Sequence, residues 1–367
     1  MSVELFELPP GGPYLLSHSV GCLPRAARNR LEETLFAPWA AGGGEAWDAW
    51  LATLEQFRGG LARLLGGHAD EYCPQTNLSS ALTKLLMALP AEPGRRVLLA
   101  AEASFPSLGF VLGQMARLGY ETRWLPASAD LGDADVWAAA LDEQVAAVLV
   151  MHVHSNSGVV SPVAEIAARA REVGAFSVID VAQSAGVLPI DVAGWGADAV
   201  IGSCVKWLCG GPGAGFLWVA RERAGMLAPL DVGWFSHATP FAFDIHDFRY
   251  APDARRFWGG TPSVAGYAIA TAGLDTLASI SVGRVFAHNR RLIAALRDSV
   301  PAVWRGRLDP TGRGGTLCLP LRPEEEKLVE RLRTAGCRFD RRGDTLRLSL
   351  HIYNDLNDVA AVAACFG

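Results

Sequence analysis

From residue 94 to residue 220, short apolar runs alternate with stretches of helical periodicity, and few architectures accept that order. Residues 96–100, 121–125 and 145–152 read as strands, and 106–118 and 162–173 as helices. The second helix has a proline in its first turn and Gly174 just past its end, which is how helices commonly start and stop. Strands that are apolar on both faces and alternate with helices form a largely parallel sheet covered by those helices. Three more runs, 176–180, 197–203 and 216–220, extend the same sheet. Ligands of such sheets sit beyond the C-terminal strand ends, and Asp180 stands at one.

The flanking segments have a different texture. Residues 1–15 are rich in Pro and Gly and predict irregular packing, and 25–65 tends to helix with a break at 41–44. After Gly259-Gly-Thr-Pro262 come a helix-like stretch at 263–300, a strand at 315–320, a charged helix at 323–335 and a strand at 345–350. The expected fold is α/β in three parts. These are an N-terminal segment (1–15), a large domain on a mostly parallel sheet (16–260) and a smaller α+β C-terminal domain (261–367).

With 367 residues, 50% hydrophobic and 19% charged, the chain can bury a large core and has no compositional sign of disorder. A net charge of −5 without a long basic run argues against a nucleic-acid partner. No apolar run approaches the roughly 18 residues of a membrane span. The first residues lack the basic start and apolar core of a signal peptide, so the expected location is the cytoplasm. Seven cysteines without a Cys-x-x-Cys pair point to reduced, mostly buried thiols. His152 and His154 alternate at a strand end, but no further ligands stand at a metal-binding spacing, and no metal is expected.

Lys206 follows the 197–203 run and is itself followed by a glycine-rich turn (210–215). Taken singly, Lys206 reads as a surface lysine and Asp180 as a helix cap. Together, a carboxylate and a lysine on neighbouring strands suit pyridoxal 5′-phosphate. The lysine condenses with the aldehyde as a Schiff base, and the carboxylate keeps the pyridine nitrogen protonated. That opposite charge is expected to lower the pKa of Asp180. The glycine-rich turn has Gly-x-Gly spacing but precedes a strand, so it is not a dinucleotide fingerprint. A close backbone turn beside a cofactor fits it better.

With these residues in place, the chain resembles the kynureninase branch of the class V aminotransferase family, pyridoxal-phosphate enzymes of fold type I with a seven-stranded sheet. The resemblance covers most of the chain. It rests on Asp180-Val-Ala-Gln-Ser-Ala-Gly186, Trp195-Gly-Ala-Asp198, the run from Lys206 to Ala214, residues 233–244 and Gly259-Gly-Thr-Pro262. Ser17-His-Ser-Val-Gly-Cys-Leu-Pro24 is similar to the family's opening turn. The resemblance implies that Phe105 stacks on the cofactor ring and that Leu78, Ser79 and Ser80 hold its phosphate at a helix start. A serine helix cap has the same geometry, and the sequence does not separate the two. Asn156 and Gln183 are implied at the cofactor's phenolic oxygen, and Trp234 and Thr261 near the phosphate. Thr261 would come from the partner subunit of a homodimer. Arg347 is implied at the substrate α-carboxylate, which its planar fork suits. His237, with Trp39, Trp47 and Trp50, is a candidate lining for a substrate pocket, although core tryptophans explain the same residues.

The chain also departs from that pattern. Val205 stands where kynureninases usually carry Tyr, and Gln183 where they tend to carry His. Asp-Arg-Arg-Gly-Asp (340–344) replaces the Cys-bearing loop of desulfurases, and Cys318 and Cys337 read as buried thiols. The implied function is an enzyme acting on a small L-amino acid through Lys206. Kynureninase-like C–C cleavage comes first, and transamination or epimerisation second. A reading from another class is a non-catalytic binding subunit of the same fold. The presence of both Lys206 and Asp180 argues against it.

Overall fold

The computed structural model describes residues 3–367. The alternating runs form β1 (Tyr72–Gln75), β2 (Val97–Ala101), β3 (Glu121–Leu125), β4 (Val145–Met151), β5 (Phe176–Asp180), β6 (Ala199–Ser203) and β7 (Gly215–Val219). They build one seven-stranded sheet in the order β3-β2-β4-β5-β6-β7-β1. Pairing is parallel from β3 to β6, and β7 runs antiparallel to both of its neighbours. Nearly every residue of β2, β4, β5, β6 and β7 is buried, as expected for strands covered by helices on both faces.

Helices α1 (Trp47–Leu65), α2 (Leu78–Met87), α3 (Pro106–Gln114) and α4 (Val163–Glu172) cover the sheet. The helical tendency of 25–65 is realised as short helices interrupted by a π turn at Glu32–Phe36 and a 3-10 turn at Gly43–Ala46. Only then does the regular helix α1 begin.

The helix-like stretch at 263–300 is two helices, α5 (Val264–Ile280) and α6 (Val282–Ser299). Ser281 breaks them with a left-handed φ of 75°, and its hydroxyl accepts the Arg284 N–H to cap the second. Helix α5 lies on the large core through Tyr267, Leu274 and Leu277, and the Tyr267 ring sits 5.0 Å from Phe57 of α1. A second core begins at Leu292 and runs to Phe366. It packs α6, α7 (Glu326–Thr334) and α8 (Leu356–Ala363) on a three-stranded antiparallel sheet. That sheet contains β8 (Thr316–Pro320), β9 (Asp340–Arg342) and β10 (Thr345–Ser349) in the order β8-β10-β9. The change of core falls between 285 and 292, after α5.

The N-terminal segment joins this second core. Leu15 is fully buried in it, its N–H donates to the Arg338 carbonyl at 2.8 Å, and its carbonyl accepts the Ser349 N–H at 3.0 Å. All seven cysteines are free and buried.

Candidate active site

The chain has only three lysines, Lys84, Lys206 and Lys327. Lys84 is engaged by Asp231 at 3.1 Å and by the carbonyls of Phe257 and Trp258, and Lys327 is exposed on α7. Lys206 is recessed, and its Nζ lies 5.5 Å from the centroid of the Phe105 ring with no hydrogen-bond or ion-pair partner among the described residues. Burial lowers its pKa, and the Arg347 and Arg342 charges add to that while Asp180 opposes them. A lysine so placed has a larger share of free amine, the nucleophilic form.

The backbone at Lys206 is held tightly. The Cys209 N–H donates to the Lys206 carbonyl at 2.9 Å, and the Gly21 N–H to the Val205 carbonyl at 2.8 Å. A Cβ on Gly21 would sit 2.1 Å from the Lys206 carbonyl oxygen, and one on Gly186 (φ 100°) 2.7 Å from that of Trp207. Glycine is required at both positions so that the opening turn and the segment after Asp180 can close on the lysine.

Asp180 ends β5, pairs in register with Ile201 of β6 and is 3% exposed. Its Oδ1 accepts the Ala182 N–H at 2.8 Å. In the protein without its cofactor its pKa is raised. Burial dominates, and the Ala182 N–H and the Lys206 charge only partly offset it. In the protein alone no cation faces this carboxylate closely enough to reverse the cost of burial.

Asn77 caps α2 through its Oδ1, which accepts the Ser80 N–H at 2.8 Å. The cap is therefore not a serine. The Ser79 and Ser80 hydroxyls and the Leu78 and Ser79 N–H groups have no acceptor among the described residues, so the helix start is an open set of donors.

At the opposite end, Arg347 is 3% exposed on β10. Its Nε donates to Asp340 Oδ1 at 2.8 Å, its Nη2 to Asp340 Oδ2 and its Nη1 to the Ser155 carbonyl at 3.2 Å. His18 adds a bond from Nε2 to Asp340 Oδ1 at 3.0 Å, and its Nδ1 meets the Ser349 hydroxyl at 2.9 Å. Burial alone would raise the Asp340 carboxyl, yet the His18 and Arg347 bonds hold it well below the usual range. Burial also lowers His18, which favours a neutral ring that donates from Nε2 and accepts at Nδ1. Arg342 sits over the Phe105 ring, its guanidinium carbon 5.3 Å from the centroid, and its Nη1 donates to Asn156 Oδ1 at 2.8 Å.

Residues 54–362 match the family model Aminotransferase class-V. A protein named kynureninase from Burkholderia mallei (strain SAVP1) is 33% identical over 316 residues, covering 83% of this chain and 73% of its own. The chain belongs to the class V aminotransferase family. Among solved structures, the cysteine desulfurase CsdA of Escherichia coli superposes with a TM-score of 0.82 at 21% identity, covering 99% of this chain and 96% of its own. A cystine C–S lyase variant with glycine covalently linked to its PLP cofactor superposes with a TM-score of 0.82 at 22% identity, covering 97% of both chains. These two likenesses establish the fold, fold type I of the PLP enzymes.

This class V enzyme uses pyridoxal phosphate, and its residues fit that group. The Lys206 amine without a partner, the buried Asp180 carboxylate one strand away, the Phe105 face and the open donors of α2 are groups that could take the aldehyde, the ring nitrogen, the ring and the phosphate respectively.

Other residues singled out from the sequence are engaged elsewhere. Gln183 Nε2 donates to the His18 carbonyl at 3.0 Å and its Oε1 accepts the Trp207 indole N–H at 3.4 Å, so its amide binds protein on both sides. Asn156 is exposed, with its oxygen on Arg342. The two His237 nitrogens meet the Thr239 and Asp247 carbonyls, both at 2.7 Å, within its own loop. Trp234 joins an edge-to-face aromatic cluster with Trp47 (5.5 Å), which continues to Trp50 and Trp39. Thr261 is exposed. His152 and His154 bond Ser184 and Ser161. The sequence reading passed over His18, Asp340 and Arg342 as site residues. The first lies within the quoted opening turn, and the other two within 340–344.

Proposed function

We propose that this enzyme cleaves the Cβ–Cγ bond of an L-amino acid of the kynurenine type by adding water at the γ-carbonyl. The observation that carries the reading is the recessed Lys206 amine, without a partner and shifted toward its free form, between Asp180 and Phe105. The Burkholderia relative named kynureninase directs it to this substrate class. Bound pyridoxal phosphate supplies a ring that accepts the electron pair left when Cα loses its proton.

The protein's own residues do the rest. Asp180, already deep in the sheet, holds a proton on the ring nitrogen by charge. Phe105 fixes the ring plane. The Leu78–Ser80 donors anchor the phosphate, and the Lys206 amine takes the Cα proton. The guanidinium end of the cleft holds the substrate carboxylate. Cleavage of L-kynurenine then consumes one water and yields anthranilate and L-alanine.

A second reading, transamination or epimerisation, draws support from Val205. It has no hydroxyl to move a proton beside the lysine, and the Gln183 amide is bound to the His18 carbonyl and the Trp207 indole. Desulfuration is disfavoured because burial pushes both Cys318 and Cys337 up to about 11, leaving neither a thiolate.

The test is fluorescence-detected anthranilate release from L-kynurenine by the holoenzyme, with Lys206→Ala as control. Release that depends on Lys206 supports cleavage. A holoenzyme that exchanges the Cα proton of amino acids but releases no anthranilate moves the assignment to the second reading.

A further inference from the structure

Arg347 is braced before any ligand arrives. Asp340 lies directly across the hairpin and takes the edge formed by Nε and Nη2. The Ser155 carbonyl takes one hydrogen of Nη1. Each terminal nitrogen of a guanidinium carries two hydrogens, so Nη1 and Nη2 each keep one for a substrate carboxylate.

Asp340 is held in turn by His18, which is 1% exposed and comes from the opening turn, 322 residues away in the chain. The Ser349 hydroxyl accepts the His18 backbone N–H at 3.3 Å, which leaves its own proton for His18 Nδ1 at 2.9 Å. Nε2 is then the protonated ring nitrogen, and it donates to Asp340 Oδ1 at 3.0 Å.

The same turn reaches the lysine. The Gly21 N–H donates to the Val205 carbonyl at 2.8 Å, and the Gln183 amide holds the His18 carbonyl at 3.0 Å. Residues 18–21 therefore touch both the backbone just before Lys206 and the carboxylate behind Arg347. An unbraced arginine loses side-chain freedom when it fixes a carboxylate, and this arrangement removes that cost in advance.

We propose that His18 and Asp340 are positioning residues. Through them the opening turn fixes the Arg347 fork at a set distance from Lys206, so that an amino acid is gripped by its carboxylate with its amine at the lysine. The inference rests on the reading that the substrate is an amino acid held at Arg347, not on which bond is cleaved.

The test compares L-alanine with L-alaninamide, which keeps the amine and lacks the carboxylate, each titrated into the holoenzyme by calorimetry. In Asp340→Asn the new amide NH2 sets a donor against the donors of Arg347 or His18, and the fork turns. This variant is expected to weaken L-alanine binding by about tenfold and to leave L-alaninamide within about twofold. His18→Leu is expected to give the same pattern, and His18→Gln, which keeps a donor, to recover part of the loss. Arg347→Gln is expected to show the pattern more strongly. A similar loss for both ligands is what a merely structural role would give, and it overturns the proposal. So does unchanged or tighter L-alanine binding in Asp340→Asn, because Asp340 would then be a bystander or a competitor of the substrate. If L-kynurenine never yields anthranilate while the loss stays confined to L-alanine, the cleavage reading fails and this one stands.

Discussion

The Lys206 amine is set by what surrounds it. Burial is the largest influence, Arg347 and Arg342 add to it, and all three favour loss of the proton. Only the unprotonated amine attacks an aldehyde, so uptake of pyridoxal phosphate by the apoenzyme accelerates with pH until the amine is fully deprotonated. A lowered pKa places the midpoint of that rise below the ordinary lysine value of 10.5, which stopped-flow absorbance can locate. A midpoint at or above that value contradicts the assignment. The sign for stability follows. The unfolded chain holds this proton more tightly than the folded one, so the apoenzyme gains stability as pH rises through the lysine range.

Lys206, Asp180 and Phe105, the proposed cofactor contacts, were read from the sequence because each sits at a strand end or just beyond, where a parallel sheet puts its ligands. The Asp340–Arg347 pair was not. It depends on a cross-strand register, 340 opposite 347, set by a two-residue turn at Gly343-Asp344 with Gly343 at φ 60°. A glycine-aspartate pair between short runs is a hairpin signal, and reading it as one would have set Asp340 against Arg347.

Among the elements, the start of α2 is the proposed phosphate site. Asn77 caps the helix, so the Ser79 and Ser80 hydroxyls and the Leu78 and Ser79 N–H groups remain available. Asn77→Ala is expected to cost about 1 kcal/mol of stability, a fall in Tm of roughly 1–2 °C. It should also weaken pyridoxal phosphate retention, because the donors lose their fixed direction. Calorimetry and cofactor release on gel filtration measure the two effects. Retention unchanged at the lowered Tm would remove α2 from the phosphate site. The sequence located this helix start but weighed only a serine as its cap, and Asn77, one residue earlier, takes the Ser80 N–H instead. The sequence also joined α5 and α6 into one helix, because Ser281 takes a left-handed φ without a glycine or proline to announce the break.

At the scale of the molecule, two cores meet across the site. The large one supplies Lys206, Asp180, Phe105 and α2, and the small sheet supplies Asp340, Arg342 and Arg347. Helix α5 went to the large core because it is apolar around most of its circumference and packs along α1, a tertiary preference that periodicity alone does not reveal. The loop after Trp234 leaves Phe243 74% and Ile245 89% exposed, beside the partly exposed Phe241 and Phe248. So much apolar surface on one loop calls for a cover. We propose a homodimer that buries it. Sedimentation equilibrium is expected to give twice the chain mass of 39.1 kDa, and Phe243→Asp with Ile245→Asp to shift it toward the monomer. A monomeric wild-type protein would contradict the proposal.

The central claim is that Lys206 is the cofactor's attachment point. Borohydride reduction of the holoenzyme followed by peptide mapping tests it most directly, because only three lysines compete. The expected result is one pyridoxyl-modified peptide carrying Lys206, absent from Lys206→Ala. Modification at Lys84 or Lys327, or a protein that takes up no label, would contradict it.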